Sequence, residues 1–170
     1  GPTGILLAQL LRAAGAASVT VAAPTAFKLE LAAALGADRT FLMDRGDLAG
    51  SVRALTGLTG GAGYDLTVDA TGAAAVAEVL LPLTRNGGTA VFYGVTDESD
   101  RVAISPYDMF RRELTIKGSF AEISSFPAAI AALRAGRART DGIITHRFGL
   151  DDYGLALETL RSDRSAHKVV

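Results

Sequence analysis

The chain contains no cysteine. That excludes disulfides and thiolate metal sites among these residues. Histidine occurs only at positions 146 and 167. Neither has a carboxylate at metal-ligand spacing, so no zinc site is expected within the chain. Lysine is confined to positions 28, 117 and 168, and arginine carries most of the positive charge. The formal net charge is −1 over 170 residues, and nothing in it marks a nucleic-acid or anionic-membrane surface. No apolar run reaches the roughly 18 residues of a membrane span, and a soluble cytoplasmic protein is the expectation. There is no nucleophile elbow of the G-x-S-x-G type, and no Ser-His-Asp or Cys-His set by local motif. No catalytic residue is therefore expected here. Position 1 is Gly rather than an initiator Met, and the chain reads as a piece of a larger protein.

What is present begins at once. Gly1-Pro2-Thr3-Gly4 has the spacing of the second and third glycines of a G-x-G-x-x-G dinucleotide turn. An apolar helix follows over 3–14, with only Gln9 and Arg12 strongly polar. Glycines let a backbone approach a pyrophosphate, and a helix N-terminus offers free N–H groups and partial positive charge. Thr3 and Gly4 can donate, whereas Pro2 cannot. The alternative is a plain strand-to-helix turn.

Strands and helices then alternate. Ser18–Ala23 reads as a buried strand, with a helix to Leu35 and a stop at Gly36. Arg39–Met43 is a strand, and Asp47 caps a helix reaching Thr56. Tyr64–Asp69 is a strand, and 73–84 is helical. Asn86-Gly87-Gly88 is a turn into the strand Thr89–Gly94. Ser105-Pro106 opens a short helix, and Leu114–Phe120 is a strand. The tail gives a helix over 125–135, a strand Ile143–Phe148, a helix Asp151–Arg161 and a short strand from His167. This alternation implies a doubly wound parallel α/β sheet lacking its first strand. That strand is central in the order, so the residues made alone are expected to fold poorly.

In such sheets ligands sit at the carboxyl ends of the strands. At the end of the second strand an Asp or Glu normally accepts from the ribose hydroxyls of NAD. Here the residues are Ala22-Ala23-Pro24-Thr25. With no carboxylate at Ala23, a 2′-phosphate meets no repulsion, and Lys28 or the Thr25 hydroxyl can bind it. This favours NADP slightly over NAD and leaves both open. Lys28 reads equally as a solvated helix face. Thr71 and Gly72 follow the strand ending at Asp69 and are candidates to line the cofactor, while Asp69 itself reads as structural. Gly94-Val95 and Ser119-Phe120 lie at strand ends that would meet the nicotinamide, or else pack ordinarily.

Taken in order, several segments resemble the C-terminal half of the medium-chain zinc-dependent alcohol and polyol dehydrogenases, nearest the sorbitol and threonine dehydrogenase branch. They are Gly1–Gly4, Lys28–Asp38, Val68–Gly72, Arg85–Gly88, Glu113–Phe120 and Ile144–Phe148. The resemblance implies a Rossmann cofactor domain over 1–121, truncated at its N-terminus, and a returning segment of the catalytic domain over 122–170. It places Gly1–Gly4 at the pyrophosphate and Ala23 where the ribose-binding acid usually sits. Lys28 falls near the adenosine ribose, and Thr71, Tyr93, Val95, Ser119 and Ala121 along the cofactor.

The implied function is hydride transfer between a nicotinamide cofactor and a secondary alcohol, polyol or ketone. A small-molecule substrate is the expected partner. Zinc in the intact parent would be held by residues outside this chain, and the 170 residues alone are expected to show no turnover. Pairing of the edge strand Thr115–Phe120 would give a homodimer or homotetramer. A zinc-free NADPH-dependent quinone or enone reductase and a non-catalytic nucleotide-sensing module stay open. A methyltransferase fits less well, because of the acid at Asp69 and the tail helix.

Overall fold

Pro2 stands in the first turn of helix α1, Pro2–Ala13, where its missing N–H costs nothing and its fixed φ suits the helix. The computed structural model describes residues 1–120 and 124–170. They divide into two compact units. The first takes Gly1–Leu42 and Ser124–Val170, and the second the stretch between them.

In the first unit α1 buries Ile5, Ala8 and Gln9. Gln9 is satisfied by Arg139: its Nε2 donates to the Arg139 carbonyl at 3.1 Å and its Oε1 accepts from the Arg139 amide at 2.7 Å. Gly15, at φ 101°, ends the helix as expected. Arg12 Nη1 donates to the carbonyls of Ala16 and Ala17, a favourable place for a cation at a helix C-terminus. Strand β1, Thr20–Ala23, leads through helix α2, Ala26–Ala34, to strand β2, Arg39–Leu42. β1 and β2 pair in parallel, Thr20 opposite Arg39 and Ala23 opposite Leu42. Ile5, Ala32, Leu35 and Ile143 form the core, with Leu6, Val21, Leu31 and Ala37 packed against it.

Asp47 caps helix α3, Leu48–Gly57, accepting from the Gly50 amide at 2.7 Å. Strand β3 (Tyr64–Asp69), helix α4 (Ala74–Leu83), strand β4 (Thr84–Phe92), helix α5 (Pro106–Arg112) and strand β5 (Thr115–Gly118) follow. The parallel order is β3-β4-β5. Ser105 Oγ caps α5 through the Asp108 amide. Leu80, Leu81, Ala90 and Leu114 are the core of this unit.

Two expectations are corrected in this unit. β4 begins at Thr84, not Thr89, and the Asn86-Gly87-Gly88 stretch lies inside it. Tyr64 pairs with Thr84 and Leu66 with Thr89, so the extra residues are absorbed as a bulge. Thr84 is held there by its hydroxyl, which meets Thr67 Oγ1 at 2.7 Å and donates to the Leu80 carbonyl at 2.8 Å. The last strand of the unit is also shorter than expected, ending at Gly118.

Back in the first unit, helix α6 spans Phe126–Arg134. Strand β6, Ile144–His146, is followed by a 3₁₀ turn at Leu150–Asp152, helix α7 at Tyr153–Ser162 and strand β7 at Lys168–Val169. The tail helix expected from Asp151 thus starts with that tighter turn. β6 and β7 pair in parallel. All sheets among the described residues are parallel, and no ladder joins β1-β2 to β3-β4-β5. Each group keeps the order of its half of a doubly wound sheet.

Candidate cofactor site

In the first unit the expected phosphate turn is an open helix N-terminus. Gly1 is the N-cap of α1, no side chain caps it, and the first turn holds no acidic residue. The first helical bond runs from the Ile5 amide to the Gly1 carbonyl at 3.2 Å. The amides of Thr3 and Gly4 precede it. They point out of the helix end, the geometry that receives an anion.

β1 delivers Ala23, buried at its carboxyl end. Thr25 is the N-cap of α2, but its side chain makes no capping bond, so its hydroxyl stays free of that task. Lys28 lies one turn into α2, half-buried, with Nζ 5.6 Å from the centre of the Phe27 ring. The positive charge of Lys28 reaches the Gly1 end of α1. The two groups therefore share one electropositive corner.

His167 joins that corner, and sequence reasoning missed it. It is only 5% exposed. Its ring stands edge-on to Phe27, centroids 6.1 Å apart at 83°. Burial first, and the charge of Lys28 besides, push its pKa down, so the ring is neutral near pH 7. Neither ring nitrogen has a hydrogen-bond partner among the described residues. The signal in the sequence was slight: one polar residue at the head of a short strand.

The second unit holds the other expected residues at the carboxyl ends of β3, β4 and β5. Asp69, 1% exposed, spends its carboxylate on the turn that follows. Oδ1 accepts from the Thr71 amide at 2.7 Å and the Thr71 hydroxyl at 2.6 Å, and Oδ2 from the Gly72 amide at 3.2 Å. Its carbonyl accepts from the amides of Tyr93 and Gly94 at 3.1 and 2.8 Å. Asp69 is structural here, as expected.

The loops after β3 and β4 are thereby laid against each other. A Cβ on Gly94 would run into the Gly72 backbone nitrogen and come within 2.7 Å of Asp69 Oδ2. One on Gly72, at φ 72°, would run into the Val95 carbonyl. Only glycine fits at either place. Val95, 84% exposed, and Tyr93 present apolar surface beside this seam. Ser119 is tied to the end of β4, its amide donating to the Phe92 carbonyl at 3.0 Å. Phe120 is 90% exposed. Ala121 lies outside the described residues. The structure thus brings Thr71, Gly72, Tyr93, Gly94, Val95 and Ser119 to one end of one sheet. It brings Gly1–Gly4, Ala23, Thr25 and Lys28 together in the other unit.

A cleft of about 700 Å³ lined by Gln9, Arg12, Leu35, Arg137 and Arg139 opens at the C-terminal end of α1. None of the expected site residues lines it.

A family model described as zinc-binding dehydrogenase matches residues 2–135. The chain belongs to the zinc-binding dehydrogenase family. Among its relatives, D-arabinitol dehydrogenase 1 of Uromyces fabae is 39% identical over 163 residues, covering 95% of this chain and 46% of that protein. D-altritol 5-dehydrogenase of Agrobacterium fabrum is 35% identical, covering 89% and 42%. A structure from Sinorhizobium meliloti described as a zinc-binding dehydrogenase bound to NADP superposes with a TM-score of 0.86 at 30% identity, covering 99% of this chain and 48% of that one. The chain spans about half the length of the relatives it matches.

Two groups that the zinc-binding dehydrogenase family implies are tested differently by these residues. An open helix N-terminus, a nearby lysine and an orphaned buried imidazole fit a phosphate-bearing dinucleotide. Zinc does not fit: among the described residues no group of three or more His, Asp or Glu is placed to hold a metal ion.

Proposed function

We propose that this chain is the cofactor-holding part of a polyol or secondary-alcohol dehydrogenase that uses NADP in preference to NAD. The observation that carries the preference is the acid-free end of β1, Ala23, with Lys28 one turn beyond it. Hydride acceptance from the alcohol carbon is the chemistry the cofactor supplies when bound, giving ketone and reduced nicotinamide while the hydroxyl proton passes to solvent. This chain's residues bind and orient. The amides of Thr3 and Gly4 receive the pyrophosphate, and Lys28 and the Thr25 hydroxyl the adenosine ribose or its phosphate. Thr71, Gly72, Tyr93, Gly94 and Val95 along the seam, with Ser119 and Phe120 after β5, receive the nicotinamide end, and the family resemblance adds Ala121. No step is routed through a metal.

Residues 1–121 would then be the dinucleotide domain and 122–170 the returning part of the catalytic domain. β5 is the edge of its sheet, which supports its pairing with a second copy in a dimer or tetramer. No helix among the described residues is long and apolar enough to cross a membrane, and a cytoplasmic enzyme belongs to the same proposal. The relatives named for arabinitol and altritol support a sugar alcohol as substrate. The test is a panel of pentitols, hexitols and simple secondary alcohols given to the intact protein with NADP or NAD, following nicotinamide reduction. Turnover of polyols is expected. Binding of the dinucleotide with no turnover across the panel would favour a nucleotide sensor and overturn the enzyme reading.

A further inference from the structure

Asn86 is the only asparagine in the chain, and Gly87 follows it. Asparagine is thermolabile, because the next backbone nitrogen can attack its side-chain amide. A glycine presents that nitrogen with no side chain in the way. A regular ladder would tie the nitrogen up, and here the ladder is interrupted. β3 pairs with Thr84 and then with Leu66 opposite Thr89, and among the described residues 85–88 have no register partner in β3 or β5. Asn86 and Gly87 are both exposed, and Gly87 stands at φ 70°, away from extended backbone.

Two guanidinium groups hold the carbonyls on which the reaction turns. Arg112 Nε donates to Asn86 Oδ1 at 3.2 Å, and Arg85 Nη1 donates to the Asn86 backbone carbonyl at 2.5 Å. Arginine only donates, so the side-chain atom facing Arg112 is the oxygen. Both arginines are anchored elsewhere. Arg112 Nη1 meets Asp108 Oδ2 at 2.9 Å, and its Nη2 donates to the carbonyls of Leu81, at 3.1 Å, and Thr84. Arg85 Nε meets Asp65 Oδ1 at 2.6 Å. These two Asn86 carbonyls are the two that a cyclic imide between Asn86 and Gly87 would carry. A fixed donor on an oxygen that gains charge during attack lowers the barrier.

We propose that Asn86 is a site of spontaneous deamidation in the folded protein, assisted by Arg112 and Arg85. The Gly87 nitrogen forms a bond to Asn86 Cγ as the Cγ–Nδ2 bond breaks. Ammonia leaves, carrying the proton that the Gly87 nitrogen gives up. Water then opens the imide at either carbonyl and returns a proton to that nitrogen. The product is aspartate, or its isomer with the chain running through the side-chain carbon. In both, the new carboxylate lies between two arginines, and its proton passes to solvent. No oxidant or reductant is needed.

The test incubates the intact protein in warm, mildly alkaline buffer, folded and in urea, and follows the mass of the peptide carrying Asn86. Replacement of the amide NH₂ by OH is the readout, with isoaspartate detected by enzymatic methylation. The unfolded chain serves as the reference for an unassisted Asn-Gly pair. The folded protein is expected to convert at least as fast. A folded rate lower by about tenfold or more, a barrier raised by about 1.4 kcal/mol, overturns the inference, because the bulge would then protect the amide. Arg112→Lys and Arg85→Gln are compared with the wild type in the same way. Arg85 is half-exposed, so its variant keeps the fold even where Arg112→Lys does not. Slower conversion of the folded protein in either variant supports the assistance. A folded rate equal to or above that of the wild type in both overturns it.

Discussion

The carboxylate of Asp69 receives the hydroxyl of Thr71 at 2.6 Å and its amide at 2.7 Å. Asp69 is itself buried, while Thr71 stands at the surface. One side chain therefore shapes the turn that leaves β3. Through its carbonyl the same residue also fixes Tyr93 and Gly94. Asp69→Ala removes a buried charged acceptor from three donors. The expected cost is about 3 kcal/mol, since bonds to charged groups are worth about 1.5–3 kcal/mol. Urea unfolding of the intact protein measures it, and a loss near zero would mean the turn holds itself.

Gly94→Ala probes the seam between the two loops. The added methyl meets the Gly72 backbone rather than a flexible side chain, so the loops must part. A stability loss of about 1–3 kcal/mol is expected, together with weaker dinucleotide binding. Wild-type affinity in this variant would place the nicotinamide end elsewhere.

Leu80→Ala supplies the contrast. Leu80 is buried in the core of the second unit against Ala90 and Leu114. Its truncation should cost about 2–5 kcal/mol and leave the dissociation constant for NADPH unchanged below the melting range. A parallel loss of affinity would tie the core to the site.

Much of this was legible in the sequence because it is local. Tyr64–Asp69 alternates and ends in a turn, and it is the strand observed. Ser105-Pro106 and Asp47 cap helices as their side chains dictate. What was not legible depends on partners distant in the chain. The start of β4 is set by Thr67 and Tyr64, some twenty residues upstream, so Asn-Gly-Gly, a turn signal by itself, is overridden. His167 looks like any polar residue until Phe27, 140 positions earlier in the numbering, covers it. The open end of α1 was readable from Gly1-Pro2-Thr3-Gly4, but its convergence with α2 and β7 was not.

Acid should weaken the fold through His167. Its pKa in the fold lies below its ordinary value, first from burial and also from the Lys28 charge. The unfolded chain then binds its proton first, at about pH 6.5. The contribution is fully present above that pH and is lost as pH falls toward the folded value. The carboxylates of Asp65 and Asp163, held low by Arg85 and by Ser165, titrate below this window. Urea midpoints at about pH 7.5 and about pH 5.5 should therefore fall more in the wild type than in His167→Phe. Equal falls would show that the ring is not neutral in the fold.

The central claim is that the end of β1, with Ala23 in place of an acid, and Lys28 beyond it admit the adenosine 2′-phosphate. The direct measurement is the pair of dissociation constants for NADPH and NADH on the intact wild-type protein, repeated with Ala23→Asp. Tighter binding of NADPH is predicted, with the order reversed in Ala23→Asp as the new carboxylate repels the phosphate and accepts from the ribose hydroxyls. A wild-type preference for NADH of about tenfold or more, equivalent to about 1.4 kcal/mol, would contradict it.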